Sequence, residues 1–242
     1  LSAFGLDIRT GNIYTSGETS VRPSPPRLSS DQFPFRRRRP LGLSQKKIII
    51  DHFDVHPLTP QTFTSIQQAA FIEQLTRMVI LLDNNRIQDV RNHVNRLLVE
   101  RLGRSSSAHS HTLAPITITF DNAASATDTV IDIRSADTPA FLYAFANALA
   151  MRGIYVQKAS FANVGQQVHD RFFVRARHGE KIESPEDQEE LRLTATLIKQ
   201  FTHVLPSAPD PSKALRAFDQ FLDHLLQDAQ RGKALSFLRK KD

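Results

Sequence analysis

Cysteine is absent from the 242 residues, which excludes disulfides, Cys-based zinc sites and a thiol nucleophile. No run of about 18 apolar residues occurs, so no segment is long and apolar enough to cross a bilayer as a helix. A charged start, an apolar middle and a small-residue cleavage site are also missing from the N-terminal stretch, so nothing there reads as a signal peptide. Nor is there a catalytic signature of the P-loop, GxSxG or HExxH kind. These absences point to a cytoplasmic chain with no catalytic site in this stretch and no membrane partner.

What is present begins with charge. The formal net charge is +6, but the excess is local. Eight Lys and Arg residues fall between Arg22 and Lys47, and Arg239, Lys240 and Lys241 close the chain. A local excess does not make the whole protein a nucleic-acid binder. The segment "VRPSPPRLSSDQFPFRRRRPLGL" has no period of 2 or 3.6, and its Pro, Ser and Arg content predicts a solvated, disordered loop over about 18–47. The Arg36–Arg39 run within it has the charge to meet phosphates or an acidic partner. The first residue is Leu, and "LSAFGLDI" already follows an apolar pattern; "KALSFLRKKD" likewise stops within a helical one. We read the chain as a fragment on that ground.

Periodicity orders the rest. "KKIIIDHFDV" has strand character, and helical patterns cover 60–83 and 85–102. "GRSSSAHSHT" reads as a linker, placed at 105–114. "ITITF" and "TVIDIR" are strands, and Pro139 to Arg152 is the clearest helix, with Pro at its first turn and Gly153 after its last. "IYVQKASFA" and "VHDRFFVRA" form a hairpin turning at Asn163-Val164-Gly165. Ser184-Pro185 opens a further helix, and another begins near Asp210-Pro211.

Self-similarity organises these pieces. Shifted by about 148 residues, "LSAFGLDIRTGNIYTSG" lies over "LAMRGIYVQKASFANVG" and aligns Gly5 with Gly153 and Gly17 with Gly165. After the hairpin, Asp51 meets Asp170, Phe53 meets Phe172 and Val55 meets Val174. The basic loop is then an insertion at a hairpin tip, which costs little because loop-closure entropy grows slowly with length. A unit of strands and two helices used twice predicts an α+β fold of tandem ferredoxin-like modules with a C-terminal helical segment. The boundaries expected are 1–104 for a first, truncated module, 115–205 for a second, and 206–242 for the start of a helical domain.

The stretch "ITFDNAASATDTVIDIRSADTPAFLYAFANALAMRGIYVQKASFANVGQQVHDRFFV", with "GEKI" downstream, resembles the C-terminal ACT domain of bacterial PII uridylyltransferases. The carrying features are Phe-Asp-Asn, a strand ending Arg-x-x-Asp-x-Pro, a helix ending Gly-Ile, a Gly-containing hairpin and Gly-Glu-Lys-Ile. Residues 1–102 resemble the preceding ACT copy. The tail "PDPSKALRAFDQFLDHLL" is similar to the opening of glutamine synthetase adenylyltransferases. The resemblance implies the βαββαβ ACT order and a regulatory region of a nitrogen-control nucleotidyltransferase, with an adenylyltransferase-like parent first and a PII uridylyltransferase second. Such a parent would use a nucleoside triphosphate and Mg and act on glutamine synthetase or the PII protein. The paired Asp residues after Gly-Ser that hold two metals in such an enzyme are not in this chain.

The resemblance also implies an effector, an amino acid such as glutamine, at the turn between first strand and first helix: Asp137, Thr138, Pro139, Ala140 and Phe141. A helix start suits a carboxylate through its free N–H groups and positive dipole end, and Asp137 either meets an amino group or caps the helix. The family's usual Gly after Pro is Ala140 here, whose methyl restricts backbone approach. The alternative is a structural join, in a ligand-free scaffold that dimerises through sheet edges. "DHFDVH" (Asp51–His56) invites a metal, but on a strand His52 and His56 stand about 13 Å apart, too far for one ion. An RNA-binding sheet needs a Gly-spaced aromatic element that "DRFFVRAR" lacks.

Overall fold

The computed structural model describes residues 4, 6–16, 48–57, 64–102, 115–138, 140–164 and 167–230. The basic loop with Arg36–Arg39, the 105–114 linker, Pro139, Gly165 and the last twelve residues lie outside them. The expectations placed on those positions are therefore neither met nor refused.

In chain order the elements are β1 (Leu6–Ser16), β2 (Ile48–Pro57), α1 (Ser65–Asp83), α2 (Ile87–Leu102), β3 (Thr117–Asp121), β4 (Thr129–Ala136), α3 (Phe141–Met151), β5 (Tyr155–Val164), β6 (Gln167–Arg175), α4 (Pro185–Val204) and α5 (Pro211–Gln230). A 3-10 turn, Leu205–Ser207, joins the last two helices. The six strands form one sheet in the order β2-β1-β5-β6-β4-β3, and every neighbouring pair is antiparallel. Among the described residues the architecture is α+β, with five α-helices and a six-stranded antiparallel sheet.

The strand order departs from the expected βαββαβ. From residue 117 onward it is ββαββα. β3 reaches the outer side of β4 through a hairpin, in register Thr117↔Arg134 to Asp121↔Val130. Asp121 shapes that turn by accepting from the N–H groups of Ala123 and Ala124 at 2.7 and 2.9 Å. The edge that a final strand would fill is thus already taken by the first, and α4 runs on into α5. The β1-β2-α1 order of the first copy repeats β5-β6-α4 of the second. The two copies meet where β1 pairs with β5, Thr10↔Ala162 to Tyr14↔Lys158.

Burial explains why these segments hold. Strand β6 alternates, with Val168, Asp170, Phe172 and Val174 buried and Gln167 and Arg171 exposed. Ile131, Ile133, Phe145, Leu149, Phe172, Leu191 and Ile198 meet in one core between sheet and helices. A line of aromatic contacts crosses it: Phe53 to Phe161 at 6.1 Å, Phe161 to Phe172 at 5.7 Å, Phe172 to Phe145 at 5.3 Å and Phe145 to Phe141 at 5.8 Å. Gly11 lies directly between Phe53 and Phe161 in the register, and a β-carbon there would come within 2.4 Å of the Phe53 ring. The missing side chain lets the two rings close over the strand.

The helix ends follow their sequence signals with one exception. Thr64 and Gln67 form a reciprocal cap on α1, and Ser184 caps α4 by accepting from the Asp187 N–H, with Pro185 first inside. Helix α3, by contrast, begins at Phe141 rather than Pro139, and Gly153 beyond its end has φ 68°. Helix α5 lies on α4 through Phe218 stacked on Phe201 at 3.8 Å, with Leu205 and Leu215 buried beside them. It reaches α2 through Arg91, 3.5 Å from Asp219 and 3.7 Å from Asp223, and through Asn95 donating to Asp219.

Candidate functional site

The join between β4 and α3 is the most chemically loaded point of the fold. Ala140 stands at the N-cap position in the left-handed region, φ 64° and ψ 4°, and α3 has no side-chain cap. Asp137 therefore does not cap the helix. The chain makes the glycine-type turn with an alanine in it. Thr138 is buried, and its hydroxyl meets that of Thr202 on α4 at 3.1 Å. The Phe141 N–H donates to the Thr138 carbonyl at 3.4 Å. Phe141 is buried against Phe145. Four of the five expected site residues thus share one corner, and Pro139 lies outside the described residues.

Beneath the corner sits a group of charges. Lys199 of α4 is 1% exposed, and its ammonium lies 4.6 Å over the Phe141 ring with no hydrogen-bond partner among the described residues. Asp170 of β6 is 4% exposed, and the Ser135 hydroxyl is buried without a hydrogen-bond partner among the described residues. Burial pushes the Asp170 carboxyl up to about 7, with Lys199 opposing and Asp137 adding to the shift. Burial pulls Lys199 down to about 8, while Asp137 and Asp170 resist. Asp137 reaches solvent, yet crowding still raises its carboxyl, helped by the charge of Asp7 and opposed by Lys199 and the Thr138 backbone. Asp7 belongs to β1, in the first copy, so the charge felt at Asp137 comes in part from that copy.

Asp137 and Asp7 bring negative charge to the corner while Asp170 is only part-ionised near pH 7, and the uncapped N-terminus of α3 adds a positive dipole end. That combination offers both halves of a zwitterion a partner: an ammonium group at Asp137, and a carboxylate at the helix start. Among the described residues no group of three His, Asp or Glu is placed to hold a metal ion. Asp51, His52, Asp54 and His56 are spread along β2 as the strand reading expects.

Sequence reasoning missed Lys199 and Asp170. Both carried a signal of phase. Asp170 falls in step with Val168, Phe172 and Val174 on a two-residue period, and Lys199 falls in step with Leu191, Ala195 and Thr202 on the buried stripe of α4. A charge in phase with buried residues is the feature to look for.

With that geometry defined, the class is an α+β protein with a polar corner at the join of β4 and α3. Comparison with curated proteins finds bifunctional uridylyltransferase/uridylyl-removing enzymes. The Ruegeria pomeroyi enzyme is 40% identical over 77 residues, 32% of this chain and 8% of the relative. The Rhodospirillum rubrum enzyme is 39% identical over 72 residues, 30% of the chain and 8% of the relative. The Novosphingobium aromaticivorans enzyme is 34% identical over 119 residues, 49% of the chain and 12% of the relative. The matched stretches thus span only a small fraction of these relatives. No family model and no solved structure matches the chain. The relatives fit the uridylyltransferase parent, the second of the two expected, better than the adenylyltransferase.

Proposed function

We propose that this chain is an effector-sensing region of a PII uridylyltransferase-like enzyme, with tandem ACT-type modules that take an amino acid such as glutamine at the Asp137–Phe141 corner. The observation that carries the reading is the uncapped start of α3, where the solvent-reaching Asp137 stands in one copy within electrostatic range of Asp7 in the other. A ligand held between them would favour one packing of the two copies over another, and that differential affinity is what regulation requires. The similarity to uridylyltransferases supports a parent that acts on the PII protein. Lys199 would set the local field, and α4, which carries Phe201 against α5, would pass the change onward.

Calorimetry with glutamine and a panel of other amino acids tests this. Saturable heat that is lost in Asp137→Ala is the expected result. Absence of both heat and thermal shift up to millimolar ligand would instead favour the ligand-free scaffold.

A further inference from the structure

We propose that the groove between α1 and α2 binds a phosphate-class oxyanion, either free or carried on a nucleotide. The groove has a cavity volume of about 260 Å³ and is lined by Arg77 and Leu81 of α1, Arg86 at the turn, and Asp89, Asn92, His93 and Arg96 of α2. That size falls just below the roughly 300 Å³ at which drug-sized sites begin, and suits a small anion. Three guanidinium groups face a single lining carboxylate, Asp89, which is already held by Arg86 at 2.6 Å. Arg77 has no ion-pair partner among the described residues. A forked guanidinium without a carboxylate in a concave setting is suited to a planar or tetrahedral oxyanion.

His93 reports the field in the groove. Arg96 donates to its Nδ1 at 2.8 Å, so the ring proton sits on Nε2 and meets the Gln74 side-chain oxygen at 2.7 Å. Burial first, then Arg96 and Arg77, hold the ring below its usual pKa, with Glu100 opposing. His93 is thereby a neutral strut that aims Arg96, and it adds no charge of its own.

The groove forms where α2 turns back after α1; α5 follows α4 at the same place in the second copy, but the lining residues belong to the first. One side of α2 is occupied by α5, through Arg91 and Asn95. The residues of its other side, Asp89, Asn92, His93 and Arg96, face α1. Helix α2 thus closes a basic cleft well apart from Asp137 in sequence, and the proposal does not depend on the reading of the amino-acid corner.

The test titrates the chain with inorganic phosphate, pyrophosphate and uridine monophosphate, each at constant ionic strength, by calorimetry and amide NMR. Saturable binding is expected, weakened about tenfold in each of Arg77→Ala and Arg96→Ala, a loss typical of one charge-assisted hydrogen bond. Arg216→Ala, on the exposed side of α5, should change nothing. Tightest binding of the nucleotide would assign the source as a nucleotide, and equal or tighter binding of phosphate would assign the free anion. Non-saturating shifts, or equal effects of the Arg216 and Arg77 variants, would overturn the site as mere ionic attraction. Unchanged helical circular dichroism keeps a folding defect from passing as lost binding.

Discussion

Ala140 sits where an L-residue pays a steric cost of roughly 1–2 kcal/mol, because its β-carbon crowds the following carbonyl. Glycine removes that cost but loses more chain entropy on folding. Ala140→Gly should therefore stabilise the protein by about 0.5–1 kcal/mol, measured as a shift in urea midpoint. The same change would widen access to the backbone at the corner, so tighter effector binding in this variant is a second readout. Asp170 and Lys199 give the corner a pH signature. The folded-state pKa of Asp170 is raised from 3.8 to about 7, so the folded form holds the proton more tightly. Its contribution is largest below pH 4 and is lost as pH rises toward 7. Lys199 is depressed from 10.5 to about 8, so its contribution grows as pH rises from 8 through 10.5 and is lost on the way back down. Stability from this pair is lowest between pH 7 and 8. Thermal melts of Asp170→Asn should lose the decline between pH 4 and 7, and melts of Lys199→Met the rise above 8; unchanged profiles would remove both groups from the account.

At the scale of elements, most of the architecture was legible. Alternation marked β4 and β6, Ser184-Pro185 marked the start of α4, and Gly153 the end of α3. What periodicity does not carry is adjacency. "ITITF" announces a strand, but nothing in its own pattern says that it flanks β4 and closes the edge expected of a later strand. The start of α3 was misplaced for a local reason: Pro at a first-turn position is a real signal, yet the left-handed Ala140 delays the helix to Phe141. The corner was singled out by the family resemblance, and its charged floor was not, because that depends on side chains from two other elements. Gly11 shows the same dependence on neighbours. Gly11→Ala should destabilise the fold by about 1–3 kcal/mol through displacement of the Phe53 ring, read by chemical denaturation.

For the molecule as a whole, the repeated units share a sheet and an aromatic line, since Phe53 of β2 stacks on Phe161 of β5. Small cores that continue into one another unfold together. Native-state hydrogen exchange should accordingly give the amides of β1 the same global opening energy as those of β6. Markedly faster exchange in β1 would mean that the copies melt separately. The joined sheet also governs how they can move. Along the seam from Thr10↔Ala162 to Tyr14↔Lys158, a one-residue slide would turn every buried side chain of β1 to the opposite face. A slide that keeps the faces must advance by two residues, roughly 7 Å, breaking the ladder before it reforms. The seam is therefore a ratchet with coarse teeth: it forbids gliding and leaves the two copies to travel as one plate or to part.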